Sequence, residues 1–341
     1  MTSACIFFLE HTDMPVSRSF VSHSTRRQLL MAGIASLAAP FVPTRHARAA
    51  EVLRVGDMNA IGWKAFLQAS GEGKDLPYEI EWSKFPAGQP EHEAFNAGAL
   101  DVGQTGDTVF LFSYAAGSPA RAVSAITFAP AFIQLLVQGD SGINTVAELK
   151  GRKLAVNAGG GPQLMAYGLL EQAGLTTKDV QFVFLNPLDA KPAFASRAVD
   201  AWLTWAPYSS LAIEQNDARP IADLHDTQTL YSGNNFVLIH KDSVIQKQAQ
   251  ISDFLARATR AQRWALNNID AAAAALSRDT KLDVQVARSI LHDFAPTPVG
   301  LTPDVRQSLQ ASADGFLRYG MIKQPVSNID GAFDTRFPLL T

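Results

Sequence analysis

Cysteine is almost missing from this chain of 341 residues: the single thiol is Cys5. Everything downstream of it is therefore excluded from disulfide bonding, thiolate metal binding and cysteine-based nucleophilic catalysis. Histidine is sparse as well. Beyond residue 49 only His92, His225, His240 and His292 remain, and no pair has the H-x-x-x-H spacing that sets two imidazoles on one helix face for a metal. There is no G-x-S-x-G nucleophile elbow and no G-x-G-x-x-G dinucleotide fingerprint. Long Lys/Arg runs are lacking too, and with them the electrostatic footprint of a nucleic-acid or anionic-lipid binder. These absences leave no catalytic residue, no metal ligand and no cofactor to expect.

The sustained apolar run from Leu29 to Val42 is about fourteen residues, contains Pro40, and falls short of the ~20 that span a bilayer. Thr25-Arg26-Arg27-Gln28-Leu29-Leu30 opens it, and Ala47-Arg48-Ala49 follows with small residues at both positions a signal peptidase reads. Residues 1–49 are expected to be an export signal of twin-arginine type, cleaved near Ala50, with Met14 an alternative start. Without them the chain carries 24 basic and 30 acidic side chains, a net charge of about −6. A mildly acidic chain with no cysteine after the apolar run for lipid attachment is expected to be free in the periplasm.

What the chain does have is an internal repeat. Phe95-Asn-Ala-Gly-Ala-Leu-Asp101-Val-Gly and Phe194-Ala-Ser-Arg-Ala-Val-Asp200-Ala-Trp lie about a hundred residues apart, each a helix end running into a short apolar strand. Leu53-Arg-Val-Gly56 and Leu154-Ala-Val-Asn157 repeat at nearly the same offset. The pattern predicts two α/β lobes of similar plan rather than one continuous sheet, with a small ligand in the cleft between them.

In the first half, strands are expected at 52–57, 78–83 and 100–103, alternating with helices at 62–70, 90–97 and 107–116. A strand at 132–138 and the turn Gly139-Asp-Ser-Gly142 then close lobe I, placed at 50–138. Lobe II, at 139–234, is expected to open with 146–149 and 153–156. It continues through helices at 162–173 and 189–197 and strands at 181–185 and 199–203. The strand 236–240 returns the chain to lobe I, and residues 235–341 cover that lobe with long helices at 251–270 and 303–319, no strand between them. Crossings near 138 and 234 form the expected hinge.

Three loops carry the candidate ligand groups. Gly159-Gly160-Gly161-Pro162 joins a strand to a helix, with Pro162 suited to the first helical position and Gln163 beside it. Free N–H groups there favour an anion, and the helix dipole adds roughly 0.3 to 1 kcal/mol. No Lys-Ser/Thr follows, which excludes a nucleotide-hydrolysing phosphate loop. Thr105, Gly106, Asp107 and Thr108 open another helix, where Asp and Thr serve as caps and their neighbours as ligand contacts. Trp205 and Tyr208, at the end of the second repeat, offer apolar contact with a polar edge, or else core or hinge packing, as does Trp202. Asn235 is a further candidate.

Phe85-Pro-Ala-Gly88, Thr105-Gly-Asp-Thr108, Pro187-Leu-Asp-Ala190 and Val199-Asp-Ala-Trp-Leu-Thr-Trp-Ala-Pro-Tyr208, in that order and spacing, resemble the periplasmic substrate-binding proteins of ABC importers for aliphatic sulfonates, taurine and nitrate. The resemblance spans about Val52 to Ile329. It implies a two-lobed type II periplasmic-binding-protein fold, no catalysis, and a monomer that delivers a small anion to an ABC permease and its ATPase. Where that family commonly has a turn with Ser/Thr and His side chains, this chain has Gly159-Gly-Gly-Pro-Gln163. Its first strand ends in Gly56-Asp57-Met58-Asn59, so Asp57 and Asn59 are expected at the cleft, the acid favouring a ligand with an amine as well as an anion. Aromatic sulfinate desulfinases and thiamine-pyrimidine synthases resemble the same family and supply the enzymatic alternative. Both use cysteine, which fails here beyond Cys5. A periplasmic partner of a sensor is the third reading.

Overall fold

The computed structural model describes residues 52–58, 61–129, 132–222, 224 and 233–339. The expected export segment and Asn59 lie outside the described residues. Among the described residues no helix is long and apolar enough to cross a membrane.

Two mixed sheets organise the chain. The first is built from β1 (Val52–Met58), β2 (Glu79–Phe85), β3 (Val102–Gly106), β4 (Ala120–Thr127), β10 (Asn235–His240) and β11 (Thr297–Val299), in the order β11-β4-β10-β3-β1-β2. The second holds β5 (Ile133–Gln138), β6 (Lys153–Val156), β7 (Gln181–Phe184), β8 (Ala201–Trp205) and β9 (Ala218–Pro220), in the order β7-β6-β8-β5-β9. The two share one plan. In each, three parallel strands (β2-β1-β3 and β7-β6-β8) are followed by an antiparallel one that reaches the sheet from the other half of the chain.

This exchange corrects the expected lobe boundary. β5 does not close the first lobe; it pairs with β8 and β9 in the second sheet, so the crossing precedes Ile133 rather than following Gln138. A run as apolar as Phe132 to Val137 shows that a strand is buried without saying in which sheet. Two further expectations change. β11 is a strand between the long C-terminal helices, and Val146–Leu149 is a 3-10 turn with a Thr145/Glu148 capping box.

A helix follows each parallel strand: α1 (Trp63–Ser70), α2 (Gly88–Asn96) and α3 (Asp107–Ala115) in the first lobe, α4 (Gly161–Gln172), α5 (Pro187–Ala195) and α6 (Tyr208–Asn216) in the second. α7 (Lys241–Asn267), α8 (Ile269–Thr280), α9 (Val284–His292) and α10 (Pro303–Arg318) complete the chain. Local chemistry sets their starts. Asp283 caps α9 at Gln285 N (2.7 Å), and Thr302 caps α10 ahead of Pro303 at its first position. The apolar face of α9, Val286, Ala287, Ile290 and Leu291, is fully covered.

The sequence repeat is also a hydrogen-bond repeat. Arg54 N donates to the Asp101 carboxylate (2.8 Å) and Asp101 N to Arg54 O (2.9 Å); Lys153 N and Asp200 form the same pair at 2.8 and 2.9 Å. Each aspartate thus locks the start of one strand to the strand beside it. Before each lies a left-handed residue, Gly98 at φ 68° and Arg197 at φ 61°, which ends the preceding helix. Phe95 and Phe194 at the equivalent helix ends are both wholly buried, each contributing about 1.5 to 3 kcal/mol.

Candidate ligand-binding site

Parallel strands present all their carboxyl ends on one edge, and ligands of open α/β sheets sit there. Met58, Pro86, Gly106, Asn157, Asn186 and Trp205 stand at or just past the ends of β1, β2, β3, β6, β7 and β8, and all six line one cavity of about 360 Å³. That volume lies within the ~300 to 1,000 Å³ typical of small-molecule sites. The remaining wall includes Gly88, Thr108, Val109, Phe132, Ile133, Gly160, Gly161, Pro187, Leu188, Tyr208 and Asn235. Both lobes contribute, and Tyr208 Oη of α6 donates across the cleft to Pro86 O (3.2 Å).

Helix starts dominate the wall. The first turn of a helix leaves N–H groups without intrahelical partners, and the dipole adds partial positive charge. α2, α3, α4 and α6 all begin at the cavity; α2, α4 and α6 have no side-chain hydrogen bond capping their starts, whereas the first two N–H groups of α3 are taken by Asn234 O (3.0 Å) and the Asp107 carboxylate (2.5 Å). α5 begins there as well, but Asn186 caps it at Leu188 N (2.9 Å) and Asp189 N (3.1 Å). Among the described lining residues there is no Lys, Arg, His, Asp or Glu. An anion would be held by neutral donors, with hydrogen bonds to a charged acceptor worth roughly 1.5 to 3 kcal/mol each.

Of the residues expected at the site, Gly106, Thr108, Gly160, Gly161, Trp205, Tyr208 and Asn235 line the cavity. Asp57, Thr105, Asp107, Gly159 and Gln163 do not. Asp57 is buried and turned from the cleft, accepting from Trp63 N (3.0 Å) and Lys64 N (3.4 Å) at the start of α1. Burial pushes its carboxyl up to about 7, against the opposing effect of Lys84 and those two bonds. The expected contact with a ligand amine is thereby corrected: this acid is a helix cap.

Asp107 is equally committed. Its carboxylate accepts from Thr108 N (2.5 Å), Thr108 Oγ1 (3.1 Å) and Ser312 Oγ of α10 (3.1 Å), so both Thr108 donors point to a neighbour rather than to a ligand. Thr105 packs against Gly88, where a β-carbon would collide with the Thr105 hydroxyl, so only glycine lets α2 start this close to β3. Gly159 adopts φ 68°, a left-handed turn, and its N–H is taken by Gln163 Oε1 (2.7 Å) while Gln163 Nε2 donates to Tyr167 Oη (2.6 Å). Gln163 braces the glycine loop from behind.

Lining residues that the sequence reading missed, chiefly Met58, Pro86 to Pro90, Phe132, Ile133, Asn157 and Asn186 to Leu188, come from strand ends or the crossing segment. The signal was available: every parallel strand end is a candidate, and the reading used only some. Trp202 is core, packed on Phe194 at 5.8 Å. His92 is core too, its Nε2 3.1 Å from Ser118 Oγ, and burial lowers its pKa to about 4.

Two similar α/β bodies with a ligand-sized cavity at the carboxyl ends of both sheets define a two-lobed periplasmic-binding-protein fold. Comparison with known proteins narrows this class. The chain belongs to the NMT1/THI5-like family, whose model matches residues 84–272. It is 33% identical over 249 residues to a protein of Escherichia coli (strain K12) named as an aliphatic sulfonates-binding protein, covering 73% of this chain and 77% of that one. The crystal structure of the periplasmic aliphatic sulphonate binding protein SsuA from Escherichia coli superposes with a TM-score of 0.75 at 30% identity, over 85% of this chain and 94% of that one. The alkanesulfonate-binding protein SsuA from Xanthomonas axonopodis pv. citri, bound to MOPS, gives 0.75 at 27% identity, over 84% and 99%.

Proposed function

We propose that this chain is the substrate-binding component of an ABC importer, holding a small organic sulfonate between its lobes and passing it to a membrane permease and its ATPase without chemical change. The observation that carries this reading is the convergence of the uncapped starts of α2, α4 and α6, from both lobes, on one largely apolar cavity. A sulfonate has three oxygens to take N–H donors spread over several helices, and an organic tail to cover apolar wall. Its relatives bear names of the same kind. The cysteine chemistry of the enzymatic alternative has no thiol beyond Cys5.

A ligand that binds only the folded state stabilises it by roughly 2.7 kcal/mol at a hundredfold excess over its dissociation constant. A thermal-shift screen of alkanesulfonates, taurine, nitrate and small carboxylates is expected to give its largest upward shifts with sulfonates. A flat response to every sulfonate would remove the proposal.

The N-terminal segment completes the assignment. Arg26 and Arg27 are proposed to route the precursor through twin-arginine export, with cleavage near Ala50 releasing the chain into the periplasm. The double change Arg26→Lys with Arg27→Lys is expected to leave unprocessed precursor in the cytoplasmic fraction. Normal processing of that variant would assign the segment to the general secretory route instead.

A further inference from the structure

Resting on the sulfonate reading, we infer that the preferred ligand carries an uncharged apolar tail of about the size of an aromatic ring, an arenesulfonate in place of an amino-sulfonate. The wall that would receive it is continuous. Ile133 and Trp205 are register partners on β5 and β8, and Trp205 meets Tyr208 edge-on at 6.0 Å. Phe132, next to Ile133, is stacked on Phe128 at 3.8 Å and is met edge-on by Phe294 at 6.0 Å. These rings are fixed from behind by core contacts and face the cavity from the front. Such a surface favours a flat apolar group over a solvated one.

Leu188 adds an independent sign. It is 61% exposed at the start of α5 and belongs to the cavity wall, so a large apolar side chain stands uncovered where a ligand tail would shield it. The described lining residues include no carboxylate, and Asp57 is spent on α1. A ligand ammonium would lose its water at this wall without gaining an ionic partner there, which penalises taurine. The volume of about 360 Å³ also exceeds what a two-carbon ligand fills.

Calorimetric titration of the full chain with methane- to pentanesulfonate, benzenesulfonate and taurine tests this. Affinity is expected to rise by about fourfold per methylene. Benzenesulfonate is expected to bind at least about tenfold tighter than ethanesulfonate, and taurine about tenfold weaker than its near-isostere propanesulfonate. Leu188→Ser, at an exposed position that does not support the core, is expected to weaken benzenesulfonate about tenfold more than methanesulfonate, and Trp205→Leu to do the same. A flat series, or taurine equal to propanesulfonate, would overturn the tail inference and leave the sulfonate reading standing. No binding of any sulfonate would remove both.

Discussion

Replacing Gly160 by valine is expected to lower sulfonate affinity by at least about a hundredfold while the protein stays folded. The backbone there has φ −108° and ψ 172°, extended geometry that any residue adopts. A β-carbon would come to 3.3 Å from Asn157 Oδ1 and 3.4 Å from Pro162 Cδ, tight contacts that small shifts relieve. The branched methyls would project where the proposed anion would approach the Gly160 and Gly161 N–H groups. Losing one or two hydrogen bonds to a charged acceptor, at roughly 1.5 to 3 kcal/mol each, accounts for that factor. Thr108→Val should be milder, under about tenfold, because both Thr108 donors already serve Asp107. Calorimetry on both variants, with circular dichroism as the folding control, decides it. Unchanged affinity in a folded Gly160→Val protein would move the anion away from the glycine loop.

The repeated aspartates should differ sharply in what they contribute to stability. Asp101 has no exposed side-chain surface and binds Arg54 Nη2 (2.6 Å), Lys247 Nζ (2.7 Å) and Ser243 Oγ (2.7 Å), whereas Asp200 is 35% exposed with Arg152 at 3.7 Å. Asp101→Ala leaves two cations facing a buried gap and is expected to cost about 3 kcal/mol, the lower end for a broken buried pair because Arg54 keeps partial solvent contact. Asp200→Ala is expected to cost about 1 kcal/mol or less. Burial alone would raise the Asp101 carboxyl, but the bonds from Arg54, Lys247 and Ser243 outweigh it and hold it below the usual carboxylate range. The unfolded chain therefore binds that proton first as pH falls. The Asp101 contribution is complete above the unfolded value near ~4 and shrinks beneath it, so wild type and Asp101→Ala should converge in acid. Denaturant unfolding at pH 7 and at pH 3 measures both effects. Equal losses for Asp101→Ala and Asp200→Ala at pH 7 would refute the asymmetry.

The repeat was legible because its parts are local. An aspartate three residues past a left-handed helix end, followed by an apolar strand, reads the same in both halves whatever packs around it. Sheet membership was not, since β5 and β10 exchange lobes and a buried strand records only that it is buried. β4, Ala-Arg-Ala-Val-Ser-Ala-Ile-Thr, lacks the branched and aromatic density that marks a strand, and β11 follows Pro296, a residue that usually signals a loop. At the site, the strand-end rule located Gly106, Gly160 and Trp205 and would equally have found Asn157 and Asn186. It could not show that the carboxylates of Asp57 and Asp107 turn back into their own lobe. That depends on which helix start lies within a side chain's reach.

Because α2 belongs to one body and α4 and α6 to the other, neither half owns a complete set of donors. An occupant would then be a rivet, its oxygens joining two surfaces that also meet through direct contacts such as Tyr208 with Pro86 and Tyr319 with Glu171 of α4. Cargo would then be read as shape. A docking partner that touches the outer faces of both bodies at once could distinguish a loaded molecule from an empty one by their mutual alignment, without ever meeting the cargo itself.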